Sequence, residues 1–347
     1  MITHLVRKSI RELQPYSFAH QALPKEGTTR LDDNENAFGS PLLSEEKFNR
    51  YPEPFQTTLK NSISRIKGVP PQNMFIGNGS GEIIDSLFRI FCEPATDACI
   101  ICPPTDNRYA FIAQVNNTNC LHIPLLPNLE LDVESILENN TAAKLLLLSS
   151  PNNPTGNSFH KEDIELLLGK FEGIVVIDEA YINYSRQSSC ITLLPHFSNL
   201  VVVQTFSHAW GLAGLRLSMA FASSGIIELL DKIKLPHHIN SASQQIAVEA
   251  LHNIAWVNEH IRQTVALREQ LCNQLKEISC IEHIYASDTN FVLIRVKDAD
   301  TTHKFLLKKG IATSNESHQT LCENCLRITI GTEKENNLLV ENLKAIK

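Results

Sequence analysis

The sequence contains no apolar run long enough to cross a bilayer. Its longest, Leu145 to Leu148 and Ile174 to Ile177, are the size of a β-strand. No membrane partner is expected. A block of like charge is missing too. The 31 Lys and Arg and 38 Asp and Glu leave a net charge of −7 spread along the chain. A binder of nucleic-acid phosphates needs clustered cations, so nucleic acid is not an expected partner either. The first eight residues, Met1 to Lys8, show no apolar segment after a charge, so no secretory leader is expected. The nine cysteines are odd in number, scattered and mostly beside apolar residues, which fits buried thiols in a reducing cytoplasm. Only Cys322 and Cys325 have CxxC spacing. With no second pair, core packing is expected of them and no metal site. No internal repeat and no low-complexity tract stands out.

What is present is ordinary globular composition, 43% hydrophobic and 20% charged, in 347 residues. That length suffices for one large domain and a smaller one. From about residue 70, short β-branched runs alternate with amphipathic stretches. Strands are expected at 73–76, 98–102, 120–124, 144–149, 173–178, 199–205 and 217–222. A helix over 82–91 would put Ile83, Ile84, Leu87 and Phe91 on one face. This alternation predicts an α/β fold with a mainly parallel, seven-stranded sheet covered by helices on both sides. From about residue 245 the pattern changes to one long helix (245–278), two strands (290–296 and 325–330) and a last helix, a smaller α+β domain. The expected organisation is a segment 1–40 associated with the small domain, a large domain 41–245 and a small domain 246–347.

In such sheets ligands sit beyond the carboxyl ends of the strands. Four motifs fall there. Gly77-Asn78-Gly79-Ser80-Gly81-Glu82 follows a strand and opens a helix, which makes either an anion site or a tight turn. A dinucleotide fingerprint needs its third glycine one residue later, so a nicotinamide-dependent oxidoreductase is set aside. Ser150-Pro151-Asn152-Asn153-Pro154-Thr155-Gly156 is a stiff loop that places an asparagine side chain at a strand end, or simply a stiff turn. Asp178 ends a buried strand ahead of Glu179, Ala180 and Tyr181, and a carboxylate there calls for a cationic partner such as a protonated pyridine nitrogen. Thr205, Ser207 and Arg216, in Thr205-Phe206-Ser207-His208-Ala209-Trp210-Gly211 and the residues that follow, suit a phosphate. Bland alternatives hold for His237 and His238 as a solvated loop, and for Cys99 and Cys102 as strand core.

The order of these motifs resembles that of the pyridoxal-phosphate aminotransferases. The details are similar to the histidinol-phosphate aminotransferases: Leu31-Asp32-Asp33-Asn34-Glu35-Asn36, Tyr51-Pro52-Glu53-Pro54, Gly77 to Ser80, and Cys325-Leu326-Arg327-Ile328-Thr329. The similarity runs nearly end to end. It implies the pyridoxal-phosphate transferase fold, pyridoxal 5'-phosphate as cofactor, and amino transfer between L-histidinol phosphate and 2-oxoglutarate in histidine biosynthesis. The partners implied are a phosphorylated amine and a 2-oxo acid, in a cytoplasmic homodimer with shared active sites. By resemblance, Asn153 and Tyr181 bind the ring oxygen and Asp178 the ring nitrogen. Gly79, Ser80, Thr205, Ser207 and Arg216 bind the cofactor phosphate, with Tyr51 reaching it from a second subunit. Arg327 holds the substrate's carboxylate or phosphate.

Four positions depart from that pattern. His208 stands where the family carries its Schiff-base lysine, leaving only a general base as candidate catalytic group. Asp106 stands where a tyrosine stacks on the cofactor ring, Gly81 replaces an aspartate of the phosphate loop, and Ser314 falls where an arginine meets the substrate phosphate. An imidazole has no primary amine and cannot make the covalent bond a lysine makes. Ordinary transamination is therefore not expected, and the cofactor is expected to be non-covalently held or absent. Two readings stay open. One is an atypical working aminotransferase. The other is a lapsed homologue acting as a ligand-binding, regulatory or partner subunit.

Overall fold

The computed structural model describes residues 2–15, 29, 31–42 and 47–346. The large sheet has seven strands: β1 (Met74–Gly77), β2 (Ala98–Ile101), β3 (Asn119–His122), β4 (Leu145–Ser149), β5 (Ile174–Asp178), β6 (Leu200–Thr205) and β7 (Ser218–Ala222). Their order is β1-β7-β6-β5-β4-β2-β3. All seven coincide with the expected runs to within a residue or two. Only β7 runs against its neighbours, pairing antiparallel with both β1 and β6. The central strands β4, β5 and β6 are buried along their whole length. Alternate side chains feed two apolar layers: Leu146, Val175, Ile177 and Val202 face one, and Leu147, Ile174, Val176 and Val201 the other. Burial on both faces explains why these strands read as continuous apolar runs rather than alternating ones.

The helices are α1 (Lys8–Glu12), α2 (Thr57–Lys67), α3 (Ser80–Phe91), α4 (Arg108–Val115), α5 (Val133–Glu138), α6 (Lys161–Lys170), α7 (Ser224–Ile233), α8 (Ser241–His252), α9 (Ile254–Leu275), α10 (Ala299–Lys308) and α11 (Glu333–Lys344). The single helix expected over 245–278 is two. Asn240 caps α8 by accepting from the Ser243 N–H at 2.8 Å, and the chain breaks at Asn253 (φ −100°, ψ 30°) before α9 begins. Ala247, Leu251 and Val257 belong to the large core, while Leu271 and Leu275 belong to the small one, so α9 runs from one core to the other. The small sheet has four strands, not two. β8 (Ile281–Ile284), β9 (Phe291–Val296), β10 (Ser314–Asn315) and β11 (Cys325–Thr329) lie in the antiparallel order β10-β11-β9-β8. β8 is half exposed and β10 two residues long, so neither carries a burial pattern a sequence can show.

Residues 5–7 pack on the large sheet's helical layer: Leu5 and Val6 are buried with Phe88, Ile90 and Leu230, and Arg7 bonds the Arg89 carbonyl at 2.9 Å. Among the described residues no helix is long and apolar enough to cross a membrane.

Candidate functional site

The carboxyl ends of β1, β4, β5 and β6 open on one edge of the large sheet, facing β9 to β11 of the small one. After β1, Gly79 turns the chain with φ +87°, a conformation glycine adopts without a Cβ clash. A Cβ there would lie 2.8 Å from Arg216 Nη2, so the missing side chain is what lets that guanidinium reach the start of α3. Beside Gly81 a Cβ meets nothing within 4 Å, so its smallness is not a packing requirement. The Glu82 carboxylate accepts from the Asn78 N–H, tightening the loop. Across from it, Thr205 Oγ1 accepts from the Ser207 N–H and from Ser218 Oγ, both at 3.0 Å, and lies 3.0 Å from Ser207 Oγ. Helix start, hydroxyls and guanidinium together form an anion cup.

Asp178 ends β5, buried beside Glu179. Its Oδ2 accepts from the Tyr109 hydroxyl at 3.0 Å and its Oδ1 from the Ala180 N–H at 3.1 Å. Burial raises its pKa, and the nearby Arg108 charge pulls it partly back. Tyr109, fully buried in α4, is a site residue the sequence reading missed. Only its place one turn into a helix after β2 could have pointed to it.

His208 packs its ring parallel on Tyr181, with centroids 4.5 Å apart and an 8° interplanar angle. Its Nδ1 lies 3.2 Å from the Ala180 carbonyl, so Nδ1 carries the hydrogen and Nε2 is the bare acceptor. Burial lowers its pKa, keeping the ring neutral at pH 7. Tyr181 meets Phe291 of β9 edge-on at 5.1 Å, and burial pushes its hydroxyl up to about 12. The charges acting on Asp178, Tyr181 and His208 come from Asp106, Arg108 and Arg327. Lys232 instead donates to the Arg11 carbonyl, and Lys234 to Asp231 and the Pro54 carbonyl.

The stiff loop after β4 is anchored by Asn152, which donates to the Pro104 carbonyl at 2.8 Å and to Thr155 Oγ1 at 2.7 Å. This aims Asn153 into the cleft. Its Nδ2 donates to Asp106 Oδ2 at 3.2 Å, and its Oδ1 accepts from Arg327 Nη1. Asp106 is held by Arg108 through the backbone N–H (3.0 Å), Nε (2.9 Å) and Nη2 (2.7 Å), and Arg108 Nη1 donates to Ser80 Oγ at 3.2 Å. Burial pushes the Asp106 pKa up, but Arg108's hydrogen bonds and charge prevail and leave it below the usual range. Arg327 also pairs with Glu316 at 3.3 Å, and Ser314, its register partner on β10, donates to the same carboxylate at 2.7 Å. Arg108 and Glu316 escaped the sequence reading, because a lone charged residue at a helix start or in a loop carries no periodic signal.

Tyr51 lies elsewhere in its own chain, half-exposed and stacked on His237 at 4.9 Å. Cys322 and Cys325 are buried with Leu293. Among the described residues no group of three or more His, Cys, Asp or Glu is placed to hold a metal.

The site fits pyridoxal phosphate only in part. The anion cup suits its phosphate. The ring's place suits it less: both ends of the Asn153 amide are bonded within the protein, one of them to the Asp106 carboxylate that Arg108 holds ionised.

Residues 16–343 match the family described as aminotransferase class I and II. The chain is 42% identical over 349 residues to a histidinol-phosphate aminotransferase of Christiangramia forsetii, covering 100% of this chain and 98% of that one. It is 42% identical over 344 residues to the Parabacteroides distasonis protein of the same name, covering 99% and 98%. Among solved structures, the histidinol-phosphate aminotransferase of Clostridium acetobutylicum superposes with a TM-score of 0.79 at 22% identity over 86% of this chain and 90% of that one. The Sinorhizobium meliloti enzyme of that name, in complex with pyridoxal-5'-phosphate, gives 0.77 at 21% over 85% and 82%. These likenesses place the chain in the pyridoxal-phosphate-dependent aminotransferase fold.

Proposed function

The chain belongs to the class I and II aminotransferases, and we propose that it is a lapsed member of the histidinol-phosphate aminotransferase branch that binds small anionic ligands without lysine-dependent amino transfer. One observation carries the reading. At position 208 a neutral imidazole is stacked on Tyr181 and tied to the Ala180 carbonyl, and it offers no primary amine. Its free Nε2 is an acceptor that can take a proton but cannot anchor an aldehyde covalently. The residues that would recognise ligand are Arg216, Thr205, Ser207, Gly79 and Ser80 for a phosphate, and Arg327 for a carboxylate or second phosphate. This suits a phosphorylated amine. We place the protein in the cytoplasm as a homodimer, with Tyr51 completing the anion cup of a second copy.

A second reading, a working histidinol-phosphate aminotransferase in histidine biosynthesis, is favoured by the 42% identity along the whole chain. The test is to mix the purified protein with pyridoxal phosphate, record its visible spectrum, and follow the half-reaction with L-histidinol phosphate and with glutamate, beside His208→Lys. The first reading expects no turnover by the native protein. Turnover of histidinol phosphate by the native chain, or borohydride trapping of the cofactor on one of its amines, would establish the second.

A further inference from the structure

The three residues Asp106-Asn107-Arg108, where the chain after β2 enters α4, send their side chains to three different partners. Arg108 reaches Ser80 Oγ (3.2 Å) in the first turn of α3. Asp106 holds Arg108 and accepts from Asn153 Nδ2 (3.2 Å). Asn107 Nδ2 lies 3.1 Å from His318 Nε2, in the segment between β10 and β11. The polar chain does not stop there. Asn153 passes to Arg327, Arg327 to Glu316, and Glu316 to Ser314. A continuous series of seven side chains thus joins the start of α3 on the large sheet to β10 of the small one.

We propose that the Asp106-Asn107-Arg108 turn is an internal ligand that occupies the place of an aromatic ring and closes this pocket to pyridoxal-type cofactors, with or without an aldehyde. The proposal deepens the reading given above. That reading concerns the missing covalent anchor; this one concerns the room and the charge for the ring itself. A ring oxygen that took Asn153 Nδ2 would have to break the bond to Asp106. It would leave the Asp106 carboxylate, whose side chain is only 11% exposed, without its Asn153 donor and dependent on Arg108 alone. Asp178, with one donor on each oxygen, keeps acceptor capacity to spare, so the obstacle lies at Asn153 and Asp106. Phosphate alone meets no such obstacle at Gly79, Thr205, Ser207 and Arg216.

Pyridoxamine 5'-phosphate, which has the ring and phosphate but no aldehyde, separates room from covalent anchoring. It is titrated by calorimetry and by shift in Tm into four proteins: native, His208→Lys, the double variant Asp106→Tyr with Arg108→Met, and the triple variant. The native protein and His208→Lys should bind it equally weakly. The double variant should bind at least about tenfold tighter, a change of roughly 1.4 kcal/mol, with no need of the change at 208. Circular dichroism checks each fold. If the double variant does not fold, Asp106→Asn, which removes the charge and keeps the size, carries the same expectation at about threefold. Native protein binding pyridoxamine phosphate as tightly as the folded variants would overturn the proposal while leaving the missing-anchor reading intact. A folded variant with no gain would overturn it as well. Amino transfer by the native protein would overturn both.

Discussion

At Asp178 the fold has solved a local problem that elsewhere would need a ligand. A buried carboxylate at the end of a central strand is costly unless its lone pairs are used. Here Tyr109 and the Ala180 N–H use them, while Arg108 supplies nearby positive charge. Tyr109→Phe keeps the ring and deletes one donor, so it should cost about 1–3 kcal/mol by urea unfolding. No loss would mean that Arg108 alone suffices. His208 gives a pH signature. Its folded pKa lies below the ordinary 6.5 because burial disfavours the charged ring. The unfolded chain therefore binds the proton first as pH falls. The stability this neutral ring contributes is complete above about pH 6.5 and is lost as pH drops from there towards the lowered folded value. His208→Gln should flatten the fall in Tm between pH 7 and pH 5. A parallel pair of Tm curves would sink the assignment of a lowered pKa at this residue.

At the level of elements, six strands of the large sheet were legible because each is a short, mostly apolar run ended by a turn or a motif and buried on both faces, while β3, half exposed at the sheet edge, was legible from the strand–helix alternation. The amphipathic face of α3, with Ile83, Ile84, Leu87 and Phe91, was legible for the same reason and is fully buried. What escaped had no pattern to read. The α8–α9 break rests on the conformation of one residue, Asn253, and β10 is recognised only by its bonds to β11. In the site, the motifs placed Asn153, Asp178, Thr205, Ser207, His208 and Arg216 at the strand ends. Their partners Arg108, Tyr109 and Glu316 come from distant segments that only folding brings together. The start of α3 provides the element-scale test. Gly79→Ala must bear both a positive φ and a Cβ 2.8 Å from Arg216 Nη2. It should cost about 1–3 kcal/mol and weaken inorganic phosphate binding, by calorimetry, as Arg216 is pushed from the cup. Unchanged phosphate affinity would show that the cup does not need that guanidinium in place.

For the molecule as a whole, the single chain leaves several large apolar side chains of one segment exposed. Phe38 is 101% exposed and Leu31 86%, with Leu42 and Phe48 also exposed and Tyr51 on the same stretch, stacked on His237. Exposed apolar side chains in such number on one short segment are a feature of surfaces that bury themselves against a partner. The segment's own pairings brace it: Arg50 bonds Glu35 at 2.6 Å, and the Tyr51 N–H donates to the same carboxylate at 2.7 Å. A second copy is the occupant proposed above, and it would bring Tyr51 to the anion cup of its partner. Sedimentation at micromolar concentration should then give a dimer. Replacing Phe38 and Phe48 together by Asp removes two rings each worth roughly 1.5–3 kcal/mol when buried. That change should weaken association by about 100-fold or more and release folded monomers of unaltered circular dichroism. A native protein that sediments as a monomer at tens of micromolar, or a double variant that stays dimeric, would remove this segment from the interface and leave Tyr51 outside the site.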